Sequence, residues 1–308
     1  MSVLLLIRGN RLLSIFRMKL ALQRCFNYVD LRLVAAGIFV CMALLAGCAM
    51  TFGYRHADWL IRWQLDHYLD LNAGQRREIT PRLQTILTHH RSEALPQYEE
   101  FLKELQQRLG RGLTGEDVNW IYASYDRFRA DLFERVVPDG GLVLTTVTDK
   151  QIQHFAEVAL KEEQKAGRRL QKPISARLDE RAKTTLSLAE DWLGPLSADQ
   201  AARIRQWSLA LPDTQVAWWE YRHHRHQELL SLMQHRKPAR EAGETLRSMF
   251  VTPEKTAPRV YLDTVKELRA GLAAMLLGID HMLTPAQRSK AVATLQKFID
   301  DVHSLRLG

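Results

Sequence analysis

The chain is 308 residues long, with 43 Lys and Arg against 35 Asp and Glu and only three Cys, a length ample for a packed core as one large domain or two. Its net charge of +8 is uneven: residues 1–47 hold six basic residues and one acidic, so a chain starting at Cys48 keeps +3 over 261 residues. Nearly balanced, interspersed signs exclude a dedicated nucleic-acid binder, and the placing of Cys25 and Cys41 before Cys48 excludes a disulfide or a Cys-based metal site in the remainder.

The N-terminus reads as a secretory signal. Such a leader needs basic residues, an apolar core of about 7–15 residues and a small-residue cleavage site. Arg17, Lys19, Arg24 and Arg32 supply the charge, residues 33–45 the core, and Ala46 and Gly47 the small residues. Leu45-Ala46-Gly47-Cys48 is then a lipobox. It predicts cleavage between Gly47 and Cys48 and a diacylglyceryl group on the Cys48 thiol, with no other cofactor. Met18-Lys19 is the more ordinary start of such a leader, which makes the first 17 residues an upstream extension. The competing reading is an uncleaved membrane helix, and residues 33–50 sit near the short end of the roughly 20 that span a bilayer. Ala49 rather than Asp follows the Cys. The expected address is therefore the periplasmic face of the outer membrane, with the inner membrane as the alternative.

Residues 48–308 read as a single all-α domain, an elongated bundle of antiparallel helical hairpins, because apolar residues recur at helical spacing almost throughout. Helices are expected at 54–70, 73–92, 94–110, 115–136, 148–193, 198–211, 214–236, 239–250, 253–281 and 285–305, with ends good to a few residues. In the first, Trp59 and Trp63 lie one turn apart, as core residues do; an aromatic anchor among lipid headgroups is the other reading. Val118, Ile121, Tyr125, Phe128 and Leu132 form the stripe of the fourth. Pro138-Asp139-Gly140-Gly141 reads as a turn and marks the best internal boundary, near 138–147, with residues 142–147 as a loop or helix lead-in. One long helix follows at 148–193. Pro173 inside it, and Pro81 inside the second helix, each predict a kink or break.

The helix starts share a pattern. Asn72-x-x-Gln75, Thr114-x-x-Asp117, Thr148-x-x-Gln151, Ser197-x-x-Gln200 and Thr284-x-x-Gln287 fit the capping box, in which a short polar side chain accepts an early backbone N–H and the third residue reaches back. Leu71, Leu196 and Leu283 precede three of these caps. The fourth helical positions hold Arg76, Ala201 and Arg288, which rules out a hydrophobic staple and leaves the leucines to pack on a neighbouring helix.

Two resemblances follow from these residues. The lipobox followed by Tyr54, Trp59, Trp63, Asp66, Tyr68-Leu69-Asp70-Leu71 and Gln75 resembles the start of an uncharacterised proteobacterial family of all-helical lipoproteins, known as a domain of unknown function. That resemblance implies location and fold and no activity. Leu283-Thr284-Pro285-Ala286-Gln287 is similar to the LTxxQ motif of small periplasmic chaperones and envelope-stress proteins, with 71–75 and 196–200 as variants. Those proteins are helical hairpins that bind unfolded clients or metal. The capping chemistry alone also accounts for the motif as a helix start.

His223-His224-Arg225-His226, with Glu228, is the densest group of candidate metal ligands, since i,i+3 and i,i+4 pairs share a helix face. It lacks the HExxH pattern, and Arg222 and Arg225 would repel a cation, so a solvated or aromatic-stacked face competes. His89-His90-Arg91 echoes it. Glu99, Glu100, Lys103, Glu104 and the run from Lys161 to Arg169 read as solvated surface. No nucleophile elbow, Walker loop, dinucleotide loop or zincin motif is present. The preferred expectation is a non-enzymatic envelope module that binds a protein or peptide, tethered to the membrane by its lipid and without nucleic acid. The alternatives are a metal-binding or metal-sensing helical module and a cell-wall hydrolase.

Overall fold

Four of the five polar starts open a helix with both halves of the capping box formed, and the fifth makes the same two bonds. The computed structural model describes residues 53–307; the expected leader with Gly47, and Cys48 after it, lie outside them. The helices are α1 (Ala57–Leu69), α2 (Ala73–His89), α3 (Leu95–Arg111), α4 (Gly115–Thr145), α5 (Asp149–Leu170), α6 (Ile174–Leu193), α7 (Ala198–Ala210), α8 (Gln215–Gln234), α9 (Ala239–Phe250), α10 (Arg259–His281) and α11 (Pro285–Leu307). A π-helical turn, His90–Ala94, joins α2 directly to α3, and a short 3-10 turn, Pro253–Lys255, precedes α10. The described chain has no strand, so the all-α class holds.

Four local expectations meet a different structure. Pro138-Asp139-Gly140-Gly141 is helix rather than turn, and α4 runs through it for 31 residues. A Cβ on Gly141 would sit 2.6 Å from the Ala239 carbonyl oxygen and 3.0 Å from the Gly243 nitrogen, so the glycine is there to let α4 and α9 touch backbone to backbone. The expected long helix over 148–193 is two helices, because Pro173 ends the helical run between Leu170 and Ile174. Trp59, expected in the core, is 47% exposed, while Leu60 and Leu69 take the buried face of α1. Pro81 lies within α2 without breaking it.

The core has two main parts joined by α4. Leu69, Leu71, Ile79, Val147, Ile152, Phe155 and Met233 form one, built by α1, α2, α5 and α8. Leu95, Leu102, Leu295, Phe298 and Ile299 join α3 to α11, and Ala189, Leu193, Ile204 and Ala291 carry that packing into α6 and α7. Leu196 and Leu283 pack against this second part, as Leu71 lies within the first. Near its start α4 meets α10: the Tyr122 hydroxyl donates to the Arg269 carbonyl at 3.0 Å, and Arg269 forks onto Asp126 at 2.7 Å twice. Near its end Val137 packs with Leu246 and Met249 of α9.

Helix C-termini are closed by arginines. Arg177 donates to the Leu170 and Lys172 carbonyls at 2.9 and 2.8 Å, and Arg181 to those of Ser208, Leu211 and Pro212 at 2.7–2.8 Å. Each guanidinium satisfies the carbonyls that a helix end leaves without an internal donor and opposes the negative end of the dipole.

Candidate functional sites

The glutamines of the helix starts meet in pairs. Gln75 Oε1 accepts the Asn72 backbone N–H at 3.0 Å, which completes its own cap. Its Nε2 then donates to the Thr146 carbonyl at 3.0 Å and to Gln151 Oε1 at 3.2 Å. Gln151 mirrors this, with Nε2 donating to the Leu69 carbonyl and to Gln75 Oε1, both at 2.8 Å. The second pair repeats the arrangement: Gln200 Nε2 reaches the Met282 carbonyl at 3.0 Å and Gln287 Oε1 at 2.8 Å, and Gln287 Nε2 reaches the Pro195 carbonyl at 3.1 Å and Gln200 Oε1 at 2.9 Å. All four amides are buried. Of the LTxxQ-like positions, Leu196, Gln200, Leu283, Thr284 and Gln287 thus come together as one interlocked pair of turns, while Leu71 and Gln75 interlock instead with the turn at Thr148 and Gln151.

The fifth start carries a carboxylate instead. Asp117 is 1% exposed, accepts the Thr114 backbone N–H at 2.8 Å and is held by Arg108 and Arg111. Burial would raise its pKa, but the hydrogen bonds from Arg111, Arg108 and Thr114 together hold it well below the usual carboxylate range.

The histidine cluster divides. His223 and His226 both turn Nδ1 to Glu163 of α5, at 2.9 and 2.8 Å, whereas His224 faces Glu228 at 3.5 Å and the Thr256 carbonyl at 3.1 Å. The four candidate ligands do not converge, and among the described residues no group of three His, Cys, Asp or Glu could hold a metal ion. Trp219 stacks on His223, and the guanidiniums of Arg222 and Arg225 lie over Trp218 and Tyr221, each 4.8 Å from the ring centre. Burial holds His226 below the ordinary histidine range; Glu163 pulls the other way, while Arg222 and Arg225 add to the lowering.

Glu163 and Glu99, expected on solvated faces, are buried. Glu99 is paired with Lys103 one turn on, and with Arg306 and His303 of α11; these hydrogen bonds, Lys103 first, hold its carboxyl down to about 2 against its burial. The sequence shows the Lys103 partner at i,i+4. It gives no sign of the partners some 200 residues away.

A groove of about 240 Å³ runs beside the π-turn, between the α2–α3 rod and α4. Leu95 N–H bonds the His90 carbonyl, five residues back, which identifies the wide turn. Pro96 follows at once, and having no N–H it cannot bond four residues back; the widened turn absorbs that loss. Ile86, Ala94, Tyr98 and Phe128 floor the groove, and Leu132 is exposed at its lip. His89, His90, Glu93, Gln97, Asp131, Glu134 and Arg135 complete the lining; Glu134 is also paired with Arg247 at 2.6 Å. His90 shares a 3.0 Å hydrogen bond with the Tyr54 hydroxyl, and burial, with the charge of His89, lowers its pKa. The only sequence signal for this site was the His89-His90-Arg91 echo.

Fold and sites together define an all-α bundle in which four helix starts are clasped in two pairs by glutamine and a groove opens beside a π-turn. A family model described as a family of unknown function, DUF6279, matches residues 67–261, and the chain belongs to that family. No curated protein and no solved structure matches it. Among the described residues no helix is long and apolar enough to cross a membrane.

Proposed function

We propose that the chain is a non-enzymatic, lipid-anchored module of the cell envelope that binds a protein or peptide segment in the π-turn groove. The make-up of the groove carries this reading: an apolar and aromatic floor under a charged rim of Glu93, Asp131 and Glu134 with His89 and Arg135 beside them. Its volume of about 240 Å³ suits one or two large side chains of a partner rather than a whole small-molecule ligand, whose pockets run to roughly 300–1,000 Å³. Glu134 is already paired with Arg247 and Arg135 adds a positive charge, so Glu93 and Asp131 are the rim acids that face a partner, which fits a segment that sets one or two Lys or Arg beside Leu or Phe. The anchor rests on the lipobox ending at Cys48, five residues before the first described residue.

The groove is tested with the chain from Ala49 onward, produced without the leader and Cys48, which needs no detergent. Excess protein is expected to suppress aggregation of an unfolded reporter rich in basic and apolar segments, measured by light scattering. Reversing two exposed rim charges, Glu93→Lys with Asp131→Lys, is expected to remove the effect while leaving helicity unchanged. No suppression at excess sinks the binding reading.

A further inference from the structure

We infer that the exposed face of α1 is a second membrane contact, in which Trp59 and Trp63 seat in the headgroup region of the bilayer that holds the lipid. Trp59 stacks on Trp63 with ring centres 6.5 Å apart, and Trp63 stacks on His67 at 6.1 Å. Successive members are four residues apart, so the three rings make one stripe along the helix. The opposite face is spent: Leu60 and Leu69 are buried, and Leu65 and Tyr68 pack against the core. Trp59 is 47% exposed and His67 is exposed, while Trp63 between them is half-buried and presents only part of its ring.

Indole rings favour the membrane–water boundary, where an apolar body and a polar N–H each find their medium. The charges flanking the stripe would oppose this only if unpaired, and both acids are paired. Asp58 is bonded by Arg62 at 2.7 Å, and Asp66 by Arg76 at 2.6 Å. Arg55, exposed just before α1, adds a basic group on the side nearest Cys48.

The length of chain names the occupant. Trp59 follows Cys48 by eleven residues, which even fully extended span at most roughly 40 Å. With an acyl group on Cys48 the stripe stays within that distance of the bilayer, at an effective concentration that makes weak partitioning sufficient. This inference rests on the lipid-anchor reading.

The test uses the full chain extracted from membranes and placed in phosphatidylethanolamine–phosphatidylglycerol vesicles with brominated acyl chains. Brominated lipid is expected to quench part of the tryptophan emission, and the Trp59→Phe, Trp63→Phe variant is expected to lose that quenched part, although five tryptophans remain of the seven. Equal quenching in parent and variant, or none in a chain that floats with the vesicles, overturns the membrane contact alone. Intact mass and flotation report separately on the anchor. A chain without the acyl adduct on Cys48 that stays with the soluble fraction overturns the anchor reading and this inference together.

Discussion

Gln75 and Gln151 donate a hydrogen bond to each other, at 3.2 Å in one direction and 2.8 Å in the other, while each oxygen also accepts its own N-cap N–H at 3.0 Å. Only a side-chain amide can do both, because it carries an acceptor and two donors in one plane. A carboxylate accepts and cannot donate, and the start at Asp117 accordingly needs two arginines where the others use a second glutamine. The LTxxQ spacing is therefore a local rule for starting a helix with a tertiary consequence: one start recognises another. Gln200 and Gln287 repeat the clasp in the second part of the core.

Gln75→Ala is expected to destabilise the chain by about 2–4 kcal/mol, since it removes one half of a cap and strands the buried amide of Gln151. In a double-mutant cycle measured by urea unfolding, Gln75→Ala and Gln151→Ala are expected to couple by about 1 kcal/mol or more. Gln75→Ala and Gln287→Ala share no partner and are expected to add. Additivity within the first pair would show that the clasp contributes no more than two separate caps.

Helix existence and the starts were legible because they depend on spacing and on capping chemistry within four residues. What escaped the sequence depends on distant partners. Pro138-Asp139-Gly140-Gly141 has the composition of a turn and becomes helix because Gly243 of α9 packs against Gly141. Glu163 sits in a run of charged residues and is buried because His223 and His226 close over it. Trp59 has the spacing of a core residue and is left outside because Leu60, Leu65 and Leu69 cover the core instead. The groove arises at a π-turn that no residue pattern announces, although Pro96 is part of its cause.

Gly140 and Gly141 are expected to respond oppositely to alanine. A Cβ at Gly141 meets backbone at 2.6 and 3.0 Å, so Gly141→Ala must push α9 away, at a cost of about 1–3 kcal/mol. A Cβ at Gly140 meets only the Leu246 Cδ1 methyl at 3.1 Å, which can turn aside. Gly140→Ala should then be neutral or gain up to about 1 kcal/mol from helix propensity. Thermal melting of the two variants decides it, and equal losses would mean that the close crossing at Gly141 is not what holds glycine there.

Acid should weaken the α5–α8 contact. His226 has a pKa lowered from 6.5 in the folded chain, so as pH falls the unfolded chain takes up the proton first. Its contribution is complete above about pH 6.5 and is lost as pH drops from there through the folded value. Glu163, His223, Arg222 and Arg225 face it, and the last two oppose a second positive charge. His226→Asn keeps an N–H donor near the Nδ1 position and cannot titrate, so its urea midpoint should fall less than the parent's between about pH 7.5 and pH 5. His90 carries a shift of the same sign and should leave a residual slope. Identical pH profiles for parent and variant would remove His226 from the account.

Arg177 holds the break between α5 and α6, and its substitution tests whether that break is enforced by Pro173 alone. The guanidinium is almost fully buried, is bonded to Asp213, and donates to the Leu170 and Lys172 carbonyls at 2.9 and 2.8 Å. Arg177→Met would leave a carboxylate and two carbonyls without their donor, which is expected to cost about 3–5 kcal/mol. Arg177→Lys keeps the charge, but one ammonium cannot span all three oxygens as the planar fork does, so an intermediate loss is expected. Adding Asp213→Asn to Arg177→Met removes the unpaired charge and should recover about 1–2 kcal/mol of the loss. Urea unfolding of the three variants gives the order. If Arg177→Met loses less than about 1 kcal/mol, the proline and the flanking core suffice to fix the break, and the arginine closes a helix end that water would satisfy as well.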